Sequence, residues 1–303
     1  MIFYNKDGKL NQIKHKDFSL EKDLQNLVER NLFSLFHLEF LASEFKIDRF
    51  RFDSVAFDPE TSSFIIIEYK RGKNESLVDQ GYAYLHTVLD RRAELVLLYN
   101  EVNSASKLSK DFDWTATRIY FISPQFTEYQ KTATGYQKMP FKLFEINSYH
   151  NNLITVDEIN ENKIKEEPTI IACNKDSVDS VKREIIVYEE DDHLSKVPVA
   201  IRELYSDLKD KIMEFGDLNI EPKKKYIAFK YNTDNICDVE FFKSLIKVFI
   251  NIKSGIINDP LKKVRDVSNI GHHGNGDYSF DLISRDDLDY LVSLIKQSYN
   301  LHK

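Results

Sequence analysis

Apolar positions along this chain switch between helical spacing and strict alternation, and the switches outline a series of elements. From Ser19 to Leu32 a Ser precedes acidic residues, and Leu24, Leu27, Val28 and Leu32 then follow at helical spacing, which predicts an amphipathic helix. Arg49-Phe50-Arg51-Phe52-Asp53-Ser54-Val55-Ala56-Phe57 alternates charge with aromatic and small residues, the pattern of a half-buried strand. Asp58 to Ser63 supplies turn residues, and Phe64-Ile65-Ile66-Ile67-Glu68-Tyr69-Lys70 is a β-rich run ending in charge, so the two runs predict a hairpin. Asp79 to Leu85 opens a second helix, with Gln80 and Tyr84 four residues apart on one face. Ala93 to Tyr99 reads as a buried strand, Arg118 to Ser123 as another, Thr127 to Tyr136 as a helix and Phe141 to Ile146 as a further strand. The sum is an α/β core with a mixed sheet flanked by helices, preceded by a small hairpin from Met1 to Tyr4 and Leu10 to Ile13.

The pattern changes after residue 155. Residues 156–196 read as a charged linker with short strands at Thr169 to Ala172 and Ile185 to Tyr188. Residues 197–303 then predict a smaller α+β domain. Its parts are a helix from Pro198 to Phe215, strands at Lys225 to Lys230, Ile236 to Glu240 and Lys247 to Ile252, a short helix around Leu261 to Val267, a strand at Tyr278 to Leu282 and a helix from Leu288 to Tyr299. At 303 residues the chain is long enough for two such cores.

The chemistry concentrates in the hairpin. Side chains alternate faces along a strand, so Glu68 and Lys70 point one way and Tyr69 the other, and a hairpin partner sets Asp53 beside them. Two carboxylates with an ammonium at their edge suit metal-assisted phosphodiester hydrolysis, because Mg²⁺ takes one or two carboxylates plus water and phosphate oxygens. The plain alternative is an Asp and a Glu–Lys pair at the solvated end of a hairpin. The flanking elements favour the first reading: a helix bearing acids, the Asp53 strand, the Glu68-x-Lys70 strand, then a helix bearing Gln80-x-x-x-Tyr84.

In that order the segments from Glu21 to Leu85, densest at Glu-Tyr-Lys-Arg-Gly of residues 68–72, resemble the PD-(D/E)xK nuclease superfamily, in particular its RecB-like and archaeal mismatch-endonuclease branch. The resemblance implies a restriction-endonuclease-like fold for residues 1–155 and a DNA-cleaving activity dependent on Mg²⁺ or Mn²⁺, in restriction, repair or defence. It assigns Asp53 and Glu68 as metal ligands, the Tyr69 carbonyl as a third, and Lys70 as the catalytic amine. It matches Glu21 to the acidic position of the first helix, with Glu29 as the substitute, Gln80 to a residue that positions the site, and Tyr84 to the aromatic after it. Each has a plainer role: Glu21 can complement a helix N-terminus, Gln80 can cap, and Tyr84 can pack. Arg51, Arg71, Lys73 and Tyr84 are the residues expected to meet nucleic acid.

Charge narrows the partners. A net charge of −7 argues against a broad basic face for long duplex, although cations gather near the hairpin. DNA is the expected substrate, RNA remains open, and a non-catalytic nucleic-acid-binding or assembly module on the same fold is the rival. Cys173 and Cys237 lack zinc spacing and point to reduced thiols in the cytoplasm, and no run approaches about 18 apolar residues, so neither a membrane span nor a signal peptide is expected. In the C-terminal part, Gly271-His272-His273-Gly274-Asn275-Gly276 reads as a structural turn before a strand rather than a metal site, since adjacent His side chains project apart. That loop, Asp259 to Ser268 and Asp286 to Tyr290 resemble a domain that follows such nuclease domains and is often labelled a predicted transport protein, with Trp usual at the position of His273. With no membrane segment, the domain is read as recognising nucleic acid, a small ligand or a partner subunit, a second copy of the chain included.

Overall fold

A computed structural model describes residues 1–70, 76–134, 138–159 and 175–303, which divide into two compact units at Val187 and Tyr188.

The first unit opens with the expected hairpin, β1 (Ile2–Lys6) and β2 (Lys9–Ile13). There follow β3 (His15–Lys16), α1 (Glu21–Glu29), α2 (Leu32–Phe36), β4 (Glu39–Ile47), β5 (Phe50–Asp58), β6 (Ser63–Tyr69), α3 (Leu77–Asp90), α4 (Arg92–Asn103), β7 (Arg118–Ser123), α5 (Glu128–Thr134), β8 (Phe141–Tyr149), β9 (Ile154–Glu158) and α6 (Lys175–Glu184). The main sheet runs β3-β8-β7-β6-β5-β4, with β9 paired to β8. It is mixed: β6, β7 and β8 are parallel, while β4, β5 and β6 are antiparallel. Every residue of β6 is buried, as a strand covered on both faces requires, which explains its unbroken apolar run. The two-residue period sorts that run between two cores. Phe64 and Ile66 pack with Leu85 and Val88 of α3 and Leu95 of α4, while Ile65, Ile67 and Tyr69 pack with Leu24 and Val28 of α1.

Two expectations fail here. Ala93 to Tyr99 is part of α4, not a strand. Leu95, Leu98 and Tyr99 are buried while Leu97 is 59% exposed, a helical stripe that a short apolar run does not distinguish from a strand. The span expected as linker holds α6, whose Val178 and Val181 join the first core with Ile185 beyond the helix end. Ile185 to Tyr188 forms no strand; the Ile186 amide there donates to the Thr115 carbonyl in the turn that precedes β7. The Thr169 to Ala172 strand and Cys173 lie outside the described residues. Trp114, the one tryptophan, is packed, stacked on Phe64 at 5.2 Å with its indole N–H on the Ser109 carbonyl at 2.8 Å.

The second unit comprises α7 (Glu190–Leu194), α8 (Val199–Met213), β10 (Asn219–Pro222), β11 (Ile227–Tyr231), β12 (Asp234–Phe241), β13 (Ile246–Ile250), β14 (Arg265–Asp266), β15 (Tyr278–Leu282) and α9 (Leu288–His302). Its sheet is antiparallel in the order β10-β11-β12-β13-β15-β14. Leu204, Leu208 and Ile212 of α8 and Leu291 and Ile295 of α9 share one core with its strands. The helix expected around Leu261 to Val267 is a turn followed by the two-residue β14, because only part of that segment reaches the sheet and there it pairs with Tyr278 and Ser279. No helix among the described residues is long and apolar enough to cross a membrane.

Candidate active site

The paired positions of β5 and β6 run from Asp58 and Ser63 to Ser54 and Ile67, and Asp53 and Glu68 come next along their strands, near enough for the Asp53 charge to act on the Glu68 carboxyl. Glu68 lies on the sheet face covered by α3, the face of Phe64 and Ile66. The backbone N–H of Tyr69 donates to Asp53 Oδ2 at 3.0 Å. Lys70 Nζ donates to Glu68 Oε1 at 3.1 Å, with both groups buried. The Lys70 amide also bonds the Ile122 carbonyl at 2.8 Å, so the end of β6 is tied to β7 just where the Lys side chain leaves it.

Helix α3 closes the site. Its N-cap Ser76 accepts from the Asp79 amide, a start that presents Gln80 in the first turn. Gly81 lets the helix lie close: a Cβ there would sit 2.5 Å from the Phe141 ring. Gln80 Nε2 donates to Glu68 Oε1 at 2.7 Å and to the Tyr84 hydroxyl at 2.9 Å. The Tyr84 ring is 6% exposed and packs edge-on against Phe52 at 4.8 Å and Phe50 at 5.4 Å. That places it behind Gln80, with no open face on which a base would stack. Burial first, then the Glu68 charge, push its phenol up to about 12.

Both acids are shifted toward their protonated forms. Burial and then the neighbouring Asp53 charge push the Glu68 carboxyl up to about 7, against the opposing pull of Lys70 and Gln80. Burial also raises Asp53, with the Tyr69 amide working against it and the Glu44 carboxylate adding to it. Glu68 Oε1 takes both donors while Oε2 is buried with no partner, and Gln80 Oε1 is likewise unpartnered. Buried carboxylate oxygens are ordinarily paired, so this arrangement fits a cation held between the acids. Among the described residues no group of three or more His, Cys, Asp or Glu is placed to hold a metal ion. The protein thus offers two carboxylates and leaves other positions to backbone oxygen, water or substrate, a donor set suited to Mg²⁺ or Mn²⁺.

The remaining expected residues fall outside this pair. Glu21 is exposed at the first position of α1. The residue of α1 that reaches the Asp53 strand is Gln25, with Glu29 one turn on. Arg51 is exposed and paired with Glu44 at 2.9 Å, and Glu44 also takes Lys22 at 3.3 Å. Arg71 and Lys73 lie outside the described residues. Gln25 and Glu44 carry no motif spacing, so nothing in the sequence singles them out; only the path of α1 across the sheet brings Gln25 to Asp53.

Comparison with known proteins gives one full-length relative. A protein of Haemophilus influenzae described as uncharacterized is 41% identical over 298 residues, spanning 98% of this chain and 98% of its own. Residues 190–302 match a family described as a domain of unknown function, DUF5655. Among solved structures, a repair endonuclease from Pyrococcus abyssi matches 39% of this chain and 43% of its own, at 19% identity and a TM-score of 0.21. An EndoMS complex with double-stranded DNA has the same coverage at 16% identity and a TM-score of 0.21. SfsA of Pyrococcus furiosus in complex with Ca²⁺ matches 45% of this chain and 60% of its own, at 11% identity and a TM-score of 0.23.

Proposed function

We propose that this chain, which belongs to the same family as the Haemophilus influenzae protein along its whole length, is a metal-dependent nuclease that hydrolyses DNA phosphodiester bonds. The observation that carries the reading is the gathering of Asp53, bonded to the Tyr69 amide, with the Glu68–Lys70 pair on either side of Tyr69, Glu68 Oε2 being buried and unpartnered. The likeness of the Glu21 to Leu85 segments to PD-(D/E)xK nucleases supports it.

In this reading Asp53 and Glu68 hold Mg²⁺ or Mn²⁺, with the Tyr69 carbonyl as a further oxygen. Such a cation, when bound, lowers the pKa of a coordinated water and neutralises charge on the phosphoryl group. The chain's own residues do the rest. Gln80 and Lys70 fix one oxygen of Glu68, and the other is left without a protein partner. The Lys70 ammonium, held at the edge of the pair, orients the attacking water or meets the negative charge that develops on the phosphate. Outside the two acids, Arg51 exchanges Glu44 for a substrate phosphate, with Arg71 and Lys73 assigned the same task from their place in the sequence.

The test is cleavage of labelled single-stranded and duplex DNA at low salt with Mg²⁺ or Mn²⁺, comparing wild type with Asp53→Ala and Lys70→Ala. Both variants are expected to remain folded and to lose about 10²–10⁴ in rate. Cutting that persists in Asp53→Ala would place the activity elsewhere. A wild type that binds DNA without metal and never cuts would make the unit a binding module.

A further inference from the structure

Gln25 lies on α1 and is 4% exposed. Its side-chain nitrogen is within bonding range of three acceptors: the Asp53 carbonyl at 2.8 Å, Glu29 Oε1 at 2.9 Å and Ser43 Oγ at 3.1 Å. A carboxamide nitrogen carries two hydrogens, which the two shorter contacts take. The orientation of the amide follows from its other end. Oε1 accepts from Lys22 Nζ at 3.0 Å, and an ammonium only donates, so the nitrogen is the end that faces Asp53. Glu29 is itself fixed by Ser54, whose hydroxyl donates to it at 2.6 Å.

The ladder explains why Asp53 needs this hold. The paired positions of β4 and β5 include Ser43 with Ser54 and Phe45 with Phe52, but skip Glu44 and Asp53 between them. Glu44 has a left-handed backbone, φ 54°, which breaks the alternation of β4 at that point. The paired positions of β5 and β6 in turn stop at Ser54. Asp53 is therefore skipped by the pairing with β4 and lies just beyond the end of the pairing with β6. Its carbonyl is gripped by Gln25 and its carboxylate by the Tyr69 amide.

We propose that Gln25 is the positioning residue of this site, fixing the Asp53 main chain where the sheet releases it so that the carboxylate meets the cation shared with Glu68. The proposal rests on Asp53 and Glu68 being cation ligands. A ligand set works only when held to within about 0.5 Å, which packing and hydrogen bonds behind the ligands supply. Gln25 does not touch the cation or the substrate. It acts through Asp53.

The test uses the full chain with Gln25→Met, near in shape but without polar atoms, and Ser43→Ala, which removes only the longest of the three contacts. Gln25→Glu, which keeps the acceptor for Lys22 and replaces the donor, serves if Gln25→Met does not fold. The first readout needs no metal: amide hydrogen exchange at Tyr69, whose N–H is bonded to Asp53 Oδ2. Exchange is expected to be about tenfold faster in the Gln25 variant, relative to other β6 amides, and unchanged in Ser43→Ala. The second is Mn²⁺ affinity by calorimetry, expected about tenfold weaker in the Gln25 variant and unaltered in Ser43→Ala.

Unchanged exchange at Tyr69 overturns the proposal while leaving the nuclease reading intact. So does a loss of Mn²⁺ affinity that merely follows thermal stability across both variants. A wild type that binds no Mn²⁺ overturns the cation site itself and the proposal with it, whatever happens at Tyr69.

Discussion

Asp238 in the second unit and Glu68 in the first are both carboxylates buried in a sheet, and they differ in the partners their surroundings supply. Asp238 is 0% exposed and both its oxygens are engaged: Oδ1 by Asn235 Nδ2 at 3.2 Å, Oδ2 by the backbone N–H of Asn275 and by its side-chain nitrogen at 2.9 Å. Those bonds fasten the glycine-bearing loop to β12. Gly276 there has φ +90° and a Cβ would lie 2.1 Å from the Ile250 carbonyl, while the His272 ring stacks on Phe249 at 5.0 Å. Glu68 has one oxygen doubly engaged, the other unpartnered, and a second acid opposite. A carboxylate with all its donors supplied by the chain holds a loop. One left short of donors keeps an oxygen for a ligand from outside, the cation of the function proposed above.

The largest effect that separates the two is on catalysis. Glu68→Gln is expected to cut metal-dependent cleavage about a thousandfold, whereas Asp238→Asn leaves the rate per folded molecule as it was. Equal losses in a cleavage assay would break the comparison. Next in size is stability, with the sign reversed. By urea denaturation without metal, Asp238→Ala and Gly276→Ala are each expected to cost about 3 kcal/mol. Glu68→Gln is expected to be neutral or stabilising, since it removes a buried charge that faces another acid.

The pH profile sharpens the contrast further. Folding raises the Glu68 pKa from 4.5 to about 7, so between those values the folded chain holds the proton more tightly than the unfolded one. The stability from this group is complete below pH 4.5 and is lost as pH rises through about 7. Metal-free protein is thus expected to lose stability across that window, and Mn²⁺, which competes with the proton, to restore it most above the window. A flat profile measured by denaturation at several pH values would count against the site. The smallest effect is expected from Tyr84→Phe, which removes an acceptor behind Gln80 and should slow cleavage about fivefold, with DNA affinity unchanged. Weaker binding of single-stranded DNA at an unchanged rate would instead assign the phenol to nucleic acid.

How much of this was legible varies with how local the signal is. The β5–β6 hairpin reads directly from alternation and turn residues, because its pairing is local and its apolar pattern matches its burial. Asp53, Glu68, Lys70 and Gln80 come together as that hairpin and the first turn of α3 require. Strand β4 is not legible in the sequence, since Glu44 interrupts its alternation, and α4 reads as a strand because its buried stripe sits inside a continuous apolar run. Gln25 was invisible for a different reason. It is one of several polar residues on an amphipathic helix, and what distinguishes it is a single main-chain carbonyl 28 residues away.

The placement of both carboxylates on one hairpin also bears on the order in which the protein assembles. Asp53 and Glu68 are joined by a short connection between neighbouring antiparallel strands, a closure of the kind completed in microseconds. The parallel pairing of β6 with β7 brings together Ile65 and Arg118 across two helices, and such long-range contacts come later. The acids therefore meet, and repel, before the rest of the sheet surrounds them. On the proposed cation site, divalent cations present during refolding are expected to speed the step in which this hairpin takes its register, so that the ion would help to build the site as well as serve it.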